Sequence, residues 1–375
     1  AQSVIITGSE DITFDTAVAA ATINASGMSA RLATTPGLVM DTISTATTAM
    51  PGQTITGSSG ADTIFGSTGG DTLTGGAGND NFTASTGADT IDGGTGTDTF
   101  TGTTALTAAS IEGSGSGTST GVVVNLGATT LTGAGVLGTT TQNLSGSLTG
   151  VSTGQVAYLF NGELVTNSAA VKTLTSIENI TLADGINYIV GSDGANVING
   201  GTGADTIVGG NGADTIDAGT GADSVTLTET TANQAVDALT QAAADSVVAT
   251  AKSASMADDT AIAATDTITF GNGVDVITGF NPGAGGDTID VGTPGAAITG
   301  IGAGVEDDLT DDKSLFFSGT FTASTGVFVI AADGTGPDTM IADSTDASDT
   351  DIMASDSIFI LIGVDSDDLH ADNFI

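Results

Sequence analysis

The chain has 375 residues, and its 44 acidic against four basic side chains give a formal net charge of −40. Such a surface repels nucleic acid and anionic membranes, so its natural counter-charge is a cation. The absence of cysteine excludes disulfides and thiolate metal sites, and 38 of the acidic residues are Asp, which favours turns and oxygen-ligand sites.

The N-terminal segment, residues 1–56, is predicted to be β-rich. It opens AQSVIITGSE, without the basic region and the apolar run of a secretory signal peptide, so no such signal is visible in it, and Ala1 is compatible with a mature start after cleavage. The longest strongly apolar stretch of the chain, IFILIGV at 358–364, is far shorter than the ~20 residues that a membrane helix needs. We therefore predict no membrane span.

The first repeat block occupies residues 57–101, which divide into five nonapeptides with no residue left over. An aspartate stands at the sixth place of every unit, and an apolar residue stands at the eighth. The aspartates are Asp62, Asp71, Asp80, Asp89 and Asp98, and the apolar residues are Ile64, Leu73, Phe82, Ile91 and Phe100. A short fixed period of this kind indicates one small unit stacked on itself.

The region between the blocks, residues 102–190, is also predicted to be β-rich. The sequences GVVVNLGATTLTG at 121–133 and VAYLFNGELV at 156–165 are typical of strands joined by Gly-rich turns. The run TSIENITL, which ends shortly before the second block, is predicted to be a further strand.

The second repeat block occupies residues 191–226 and contains four more units in the same register. Its sixth places are Asn196, Asp205, Asp214 and Asp223, and its eighth places are Ile198, Ile207, Ile216 and Val225. Each unit joins a Gly-rich half, which forms a tight loop, to a three-residue half whose middle residue faces inward as in a short strand. Two units then make one flattened coil, and coils stack as parallel strands ~4.8 Å apart.

A helix is predicted in residues 227–265, because TANQAVDALTQAAADSVVATAKSASMADD at 231–259 is Ala-rich and contains no Gly. Thr231 and Gln234 have the spacing of a capping box. The residues at helical spacing are Val236, Leu239, Ala243 and Val247. A lid packed on the side of the stacked coils is favoured over an assembly or docking helix.

The stacked arrangement predicts a metal ion between coils. Units n and n+2 lie one coil apart on the same side, so their Asp carboxylates lie close together. Two carboxylates ~5 Å apart repel by roughly 3–4 kcal/mol at an effective dielectric of ~20. A hard dication between them reverses this sign, with carbonyls of the Gly-rich turns as further ligands. Ca²⁺ fits better than Mg²⁺ because it accepts six to eight oxygens in loose geometry, and zinc is disfavoured without Cys or a His cluster.

The two blocks resemble the RTX (repeats-in-toxin) nonapeptide G-G-x-G-x-D-x-U-x. A low-complexity linker, the alternative, would not keep an apolar residue at every eighth place. The resemblance implies a parallel β-roll with Ca²⁺ between coils. The implied bridging pairs are Asp62–Asp80, Asp71–Asp89, Asp80–Asp98 and Asp205–Asp223. Asn196 departs from the motif and implies a weaker site with Asp214, and Ala84 and Ala218 stand at Gly places.

The resemblance also covers the regions outside the blocks. It implies that the solenoid continues through 102–190 without regular calcium loops. Residues 266–292 resemble the coil that closes an RTX roll, with Asp275 and Asp287 as candidate calcium ligands or solvated turn residues. The acid runs at 305–313 and 343–351 lack the EF-hand pattern and are predicted to be solvated loops.

The chain end, SDSIFILIGVDSDDLHADNFI, resembles the uncleaved secretion end of type I substrates. The residues predicted to carry that signal are Leu369, Phe374 and Ile375. Residues 266–375 are therefore expected to hold the closing coils, a C-terminal β region and the secretion signal.

No enzyme activity is predicted, and no catalytic residue is assigned. The sole histidine of the sequence, His370, is five residues from the end, so no Ser-His-Asp set is built around it. Neither an H-E-x-x-H motif nor a P-loop is present. Trp is absent and Tyr occurs twice, which removes the usual sugar-stacking platforms.

The predicted fold is all-β, a parallel β-roll or β-solenoid with calcium between coils, β-rich flanking regions and one helix. The predicted function is that of a secreted calcium-binding structural protein, which folds on Ca²⁺ outside a bacterial cell and assembles on its surface as an S-layer or filament. The alternative is a C-terminal calcium-folding and secretion module of a larger RTX adhesin or exoprotein. The predicted partners are copies of the same chain, with a cell-surface polysaccharide as a second candidate.

Overall fold

The computed structural model describes residues 3–8, 12–14, 22–28, 38–40, 52–66, 69–83, 87–102, 121–131, 134–136, 143–147, 150–160, 163–165, 171–227, 235–240, 267–270, 274–290, 314–331, 335–343, 357–369 and 373–374. These parts are almost entirely strand and turn, with a short 3₁₀ helix at Ser366–Asp368. Within them, no helix is long and apolar enough to cross a bilayer. The predicted all-β class is confirmed.

The strands are short, as expected for units of nine residues. In chain order they are β1 (Ser3–Gly8), β2 (Ile12–Phe14), β3 (Thr22–Met28), β4 (Leu38–Met40), β5 (Thr54–Thr56), β6 (Thr63–Phe65), β7 (Thr72–Ala77), β8 (Asn81–Thr83), β9 (Thr90–Thr95), β10 (Thr99–Thr101), β11 (Gly121–Asn125), β12 (Ala134–Val136), β13 (Asn143–Ser147), β14 (Gln155–Phe160), β15 (Glu163–Val165), β16 (Lys172–Thr175), β17 (Asn179–Thr181), β18 (Tyr188–Val190), β19 (Val197–Asn199), β20 (Thr206–Val208), β21 (Thr215–Asp217), β22 (Ser224–Thr226), β23 (Ala238–Thr240), β24 (Thr267–Thr269), β25 (Asp275–Thr278), β26 (Thr288–Asp290), β27 (Ser314–Thr322), β28 (Val327–Ile330), β29 (Asp338–Asp343) and β30 (Ser357–Ile362).

The chain divides into two compact units. Unit 1 comprises Ala1–Gly135 and Leu144–Ser192, and unit 2 comprises Val136–Asn143 and Asp193–Ile375. The first repeat block lies in unit 1, and nearly all of the second block lies in unit 2.

Unit 1 is a parallel roll of two sheets. One sheet pairs β1, β3, β5, β7, β9 and β16 in parallel, and the other pairs β4, β6, β8, β10 and β17, with β2 beside β4. Successive strands of the chain alternate between the sheets, so each coil gives one strand to each. The roll therefore begins upstream of the repeats, in the segment 1–56, and β16 and β17 extend it after them.

The core of unit 1 consists of two ladders of inward-facing apolar residues. The register brings Ile23, Ile55, Leu73, Ile91 and Leu174 side by side in one sheet, and Ile64, Phe82, Phe100 and Ile180 in the other. All of them are buried. The eighth residue of each repeat faces inward because side chains alternate along a strand and the polar residues on either side face outward.

An antiparallel group interrupts the parallel pattern of unit 1. Strand β14 pairs antiparallel with β11, β15 and the start of β16, while β11 pairs in parallel with β18. Residues Val122, Val123 and Val124 are all fully buried, so β11 is covered on both faces. The strands predicted at 121–133 and 156–165 thus form, but they do not follow the geometry of a simple coil.

Unit 2 joins a short parallel roll to an antiparallel sheet. The parallel strands are β19, β21, β23 and β26 in one sheet and β20, β22, β25 and β30 in the other. The antiparallel order runs β24, β28, β27, β29 and β30. Its buried core contains Ile268, Phe270, Val274, Val276, Phe317, Phe321, Phe328, Ile330, Met340, Ile358 and Ile360.

The predicted helix at 227–265 is wrong where the structure describes that segment. Strand β23 occupies Ala238–Thr240, and Leu239 pairs with Ile216 and Ile289 in the roll. Leu239 is buried because it takes the inward position of a coil, not because it lies on a helix face. Most of the predicted helix, including its capping box, lies outside the described residues.

We predict that Phe82→Ala lowers the free energy of unfolding by ~3–5 kcal/mol, the usual cost of removing a fully buried ring. Phe82 is 0% exposed and stands between Ile64 and Phe100 in its sheet. Urea denaturation in saturating calcium measures the change. Val197→Ala is the matched control, since Val197 is 51% exposed on a roll strand and should change stability by less than about 0.5 kcal/mol. Equal effects of the two variants would refute the core assignment.

Candidate metal centre

Each repeat unit turns tightly because its Gly-rich half has no room for side chains. At Gly76, φ is +117°, and an added Cβ would lie 2.1 Å from the carbonyl oxygen of Ser58, one coil earlier. At Gly75, the first place of the same unit, an added Cβ would lie 2.0 Å from Asp80 Oδ2. These glycines let coils approach and leave space for a carboxylate inside the turn.

The sixth-place residues form four columns, of which column A contains Asp62, Asp80, Asp98 and Glu178. The backbone N–H of Asp62 donates to Asp80 Oδ1 at 2.7 Å, and that of Asp80 donates to Asp98 Oδ1 at 2.7 Å. The N–H of Asp98 donates to Glu178 Oε2 at 2.8 Å. At the first member, the Ser58 backbone N–H donates to Asp62 Oδ2 at 2.5 Å, and the Ser58 hydroxyl lies 3.0 Å from Asp62 Oδ1. Each carboxylate therefore accepts a backbone N–H through one oxygen.

Column B, on the other sheet of unit 1, contains Gln53, Asp71, Asp89 and Lys172. The N–H of Gln53 donates to Asp71 Oδ1 at 2.6 Å, and the N–H of Asp71 donates to Asp89 Oδ1 at 2.9 Å. The N–H of Thr173 donates to the carbonyl of Asp89, which places Lys172 at the next sixth place. The Lys172 ammonium lies 2.6 Å from Asp89 Oδ2. This column therefore ends on a cation.

Column C, in unit 2, contains Asn196, Asp214, Asp237 and Asp287. The N–H of each of the first three donates to Oδ1 of the next, at 2.9, 2.9 and 3.0 Å. The Asn196 position keeps the same backbone contact as an aspartate would, although its side chain carries no charge. The column continues through two aspartates that lie outside the repeat block.

Column D, also in unit 2, contains Asp205, Asp223 and Asp275. The N–H of Asp205 donates to Asp223 Oδ1 at 2.7 Å, and that of Asp223 donates to Asp275 Oδ1 at 2.8 Å. The strand register then brings Phe359 beside Asp275, and Phe359 is fully buried. An apolar residue therefore follows the last carboxylate of this column.

The structure places all eleven predicted site residues in these columns. Each is at most 2% exposed: Asp62, Asp71, Asp80, Asp89, Asp98, Asn196, Asp205, Asp214, Asp223, Asp275 and Asp287. The predicted pairs lie one coil apart, as the 18-residue spacing requires. Ala84, the acid run 305–313, His370 and Ile375 lie outside the described residues.

Sequence reasoning missed four members of the columns: Gln53, Glu178, Asp237 and Lys172. Gln53 stands 18 residues before Asp71, ahead of the first block. The other three follow their column neighbours by 80, 23 and 83 residues, so a nine-residue period does not find them. The sequence signal that could have found them is the strand half of the repeat, which these segments keep although the Gly-rich half is missing. The sequences E-N-I-T, D-A-L-T and K-T-L-T all keep the inward apolar residue two places after the column residue.

The columns concentrate buried negative charge. In column A, the Oδ2 atoms of Asp80 and Asp98 are buried without a hydrogen-bond partner. Burial raises the pKa of Asp80 to about 7; the N–H of Asp62 opposes this rise, and the carboxylates of Asp62 and Asp98 add to it. Burial likewise raises the pKa of Asp98, with Glu178 adding to the rise. These carboxylates are poorly compensated by the protein alone.

A hard cation that takes oxygen ligands fits this arrangement. Among the described residues, no three His, Cys, Asp or Glu side chains converge on a point that could hold a metal ion. An ion held between coils would therefore need backbone carbonyls beside the carboxylates, and Ca²⁺ accepts both. The carbonyl of Gly87, which accepts from the Lys172 ammonium at 2.8 Å, shows that turn carbonyls point toward the column.

The model of the RTX calcium-binding nonapeptide repeat family matches residues 56–91, 74–104 and 184–225. These matches coincide with the two blocks whose sixth-place residues form the columns. The two blocks are RTX calcium-binding nonapeptide repeats. RTX repeats bind Ca²⁺ between their coils, which agrees with the buried, partly uncompensated carboxylates.

Two further comparisons add no functional argument. No curated protein matches the chain. The solution structure of the AlgE6R3 subunit from the Azotobacter vinelandii mannuronan C5-epimerase is 21% identical, over 50% of this chain and 76% of that chain, with a TM-score of 0.28. A likeness at that TM-score says nothing about the activity of this chain.

We predict that the metal-free chain is more folded at low pH. The folded-state pKa of Asp80, about 7, exceeds its ordinary value of 3.8, so protonation favours the folded state. This contribution is fully present below the ordinary pKa and is lost as the pH rises through the folded-state value. Circular dichroism in chelator should therefore show more β-structure at about pH 5 than at about pH 8. The Asp80→Asn variant should show a smaller difference, and an opposite trend in the wild type would contradict the assignment.

Proposed function

We propose that this chain is a secreted structural protein, which folds on Ca²⁺ outside the cell and then assembles on a bacterial cell surface as an S-layer or filament. The observation that carries the proposal is the stack of buried carboxylates in column A. Two of its oxygens, Asp80 Oδ2 and Asp98 Oδ2, have no hydrogen-bond partner. A cation supplied from outside removes that cost, and without it the coils repel.

The proposed ligands are the sixth-place carboxylates, each acting with its neighbour one coil away. In unit 1 these are Asp62, Asp80, Asp98 and Glu178 of column A, and Asp71 and Asp89 of column B. In unit 2 they are Asp214, Asp237, Asp287, Asp205, Asp223 and Asp275, with Asn196 as a weaker end of column C. Turn carbonyls complete the coordination.

Calcium concentration then separates the two states of the chain. Extracellular calcium modules typically bind at ~10⁻⁴–10⁻³ M, well above the free calcium of a cell interior. An ion that binds only the native state stabilises it by mass action. At a net charge of −40, the unliganded chain repels itself and its copies, which keeps it extended and soluble.

The C-terminal tail supports the order of export before folding. Leu369 is 5% exposed, and Phe374 pairs with Ile289 on the last coil. The fully buried Asn373 side chain donates to the carbonyls of Gly283 and Asp287. If this tail is the secretion signal, the folded chain covers it, so the signal is readable only before calcium folds the protein.

Exposed apolar residues outside the repeats support assembly. Ile5 on β1 is 77% exposed, and Val329 on β28 is 38% exposed. Strand β1 pairs with β3, and in the described part of the chain its other edge has no partner strand. Open edges of this kind recruit neighbouring strands unless they are covered. We therefore place the assembly contacts in residues 1–56 and 293–375.

We expect folding to require calcium, and we expect the three variants Asp80→Ala, Asp62→Ala and Asp368→Ala to differ in that requirement. Asp80 has neighbours on both sides in column A and an oxygen without a hydrogen-bond partner, so its loss should raise the calcium midpoint most. Asp62 ends the column and is held by Ser58, so its loss should have a smaller effect. Asp368 is exposed and serves as the control. Circular dichroism during a calcium titration gives each midpoint.

Two results of that titration would refute the calcium assignment. One is the same β signal in excess chelator and in millimolar calcium. The other is equal midpoints for all three variants, which would show that the columns do not bind the ion.

We also expect calcium to drive assembly of the folded chain into sheets or filaments. Light scattering and negative-stain imaging during the same titration measure it. Ile5→Lys should reduce assembly while calcium-dependent folding is kept, because it places a charge on the open edge of β1. Val197→Lys, at a 51% exposed residue outside the proposed contact regions, is the matched control. A chain that folds and stays monomeric at high concentration would favour the alternative, a calcium-folding module of a larger exoprotein.

A further inference from the structure

Lys172 stands at a sixth place of the roll, where the repeats have an aspartate. Its neighbour Thr173 donates its N–H to the carbonyl of Asp89 at 2.8 Å, as Thr90 does to the carbonyl of Asp71 one coil earlier. Thr173 also pairs in register with Thr90. Lys172 is therefore the next member of column B after Asp89, although 83 residues separate the two along the chain.

The Lys172 side chain points along the column and is completely buried. Its ammonium lies 2.6 Å from Asp89 Oδ2, with both side chains at most 1% exposed. It also donates to the Gly87 carbonyl at 2.8 Å and lies 5.8 Å from the centre of the Tyr158 ring. A carboxylate oxygen and a turn carbonyl are the oxygen types that Ca²⁺ takes in proteins.

We propose that the ammonium of Lys172 takes the place of Ca²⁺ at the end of column B, so the interval between Asp89 and Lys172 is closed by the protein's own cation. This inference rests on the proposed function, in which Ca²⁺ lies between carboxylates one coil apart. In column A the corresponding position, the one after Asp98, holds Glu178, which adds a negative charge and not a positive one.

A lysine in the place of an ion has a physical consequence for the contact between β9 and β16. A buried carboxylate without a counter-charge is strongly destabilising, and Lys172 supplies that charge at any calcium concentration. In the folded roll, the interval between Asp89 and Lys172 therefore needs no metal ion to balance its charge, whereas the interval between Asp71 and Asp89 does.

The first test converts the lysine into the residue that the repeat uses. Lys172→Asp restores the sequence D-T-L-T and should create one additional site, so the folded full-length variant should bind one more Ca²⁺ than the wild type. Isothermal titration calorimetry and equilibrium dialysis with calcium count the ions. Lys313→Asp makes the same charge change outside the repeats and should leave the count unchanged. A folded Lys172→Asp variant with the wild-type count overturns the proposal.

A second set of variants decides the question if Lys172→Asp does not fold. Lys172→Met keeps the length of the side chain and removes its charge, and it should raise the calcium midpoint of folding by roughly threefold or more. Lys313→Met removes a charge outside the repeats and should leave the midpoint unchanged. Equal midpoints for Lys172→Met and the wild type, or equal rises in the two variants, overturn the proposal.

The wild type measured beside these variants separates the two hypotheses. A wild-type chain that folds in chelator and binds no Ca²⁺ overturns the proposed function, and this inference with it. A wild type that requires Ca²⁺, together with variants that behave as the wild type does, overturns this inference alone.

Discussion

The contact on which the rest of the structure depends is the hydrogen bond from the backbone N–H of one sixth-place residue to the carboxylate of the next, one coil away. It repeats along all four columns at 2.6–3.0 Å, as between Asp62 and Asp80 or Asp205 and Asp223. It sets the spacing of the coils and buries a row of negative charges. The same contact that builds the roll therefore buries negative charge that a cation would balance.

The apolar ladders and the carboxylate columns are two consequences of one alternation. In each repeat, the eighth residue enters the core between the sheets, while the sixth lies in the turn beside Gly-rich backbone. The ladder of Ile64, Phe82 and Phe100 supplies hydrophobic stabilisation that does not depend on ions. The carboxylate columns oppose this hydrophobic stabilisation, because their buried negative charges repel one another. The proposed dependence of folding on calcium rests on this combination of an apolar core and a large buried charge.

Outside the repeats, the columns take in residues of different charge. Column A continues to Glu178, column B continues to Lys172, and column D meets the neutral Phe359. These residues come from segments outside the repeats, which return to the roll after long excursions. The flanking regions are thus part of the roll and not appendages to it.

The sequence by itself determined the repeat, its register and the chemistry of the site. The nine-residue period placed nine of the eleven predicted residues in columns, because a strict period leaves one way to stack the units. The other two, Asp275 and Asp287, came from the resemblance of 266–292 to a closing coil. Only the tertiary structure decided which distant residues join those columns. Glu178, Asp237 and Lys172 follow loops of unequal length, and loop length carries no information about where a chain returns. The segment around Leu239 shows the same limit: its local helical pattern favours a helix, but a free position in the sheet beside Ile216 makes it a strand, since burial and strand pairing outweigh a weak local propensity.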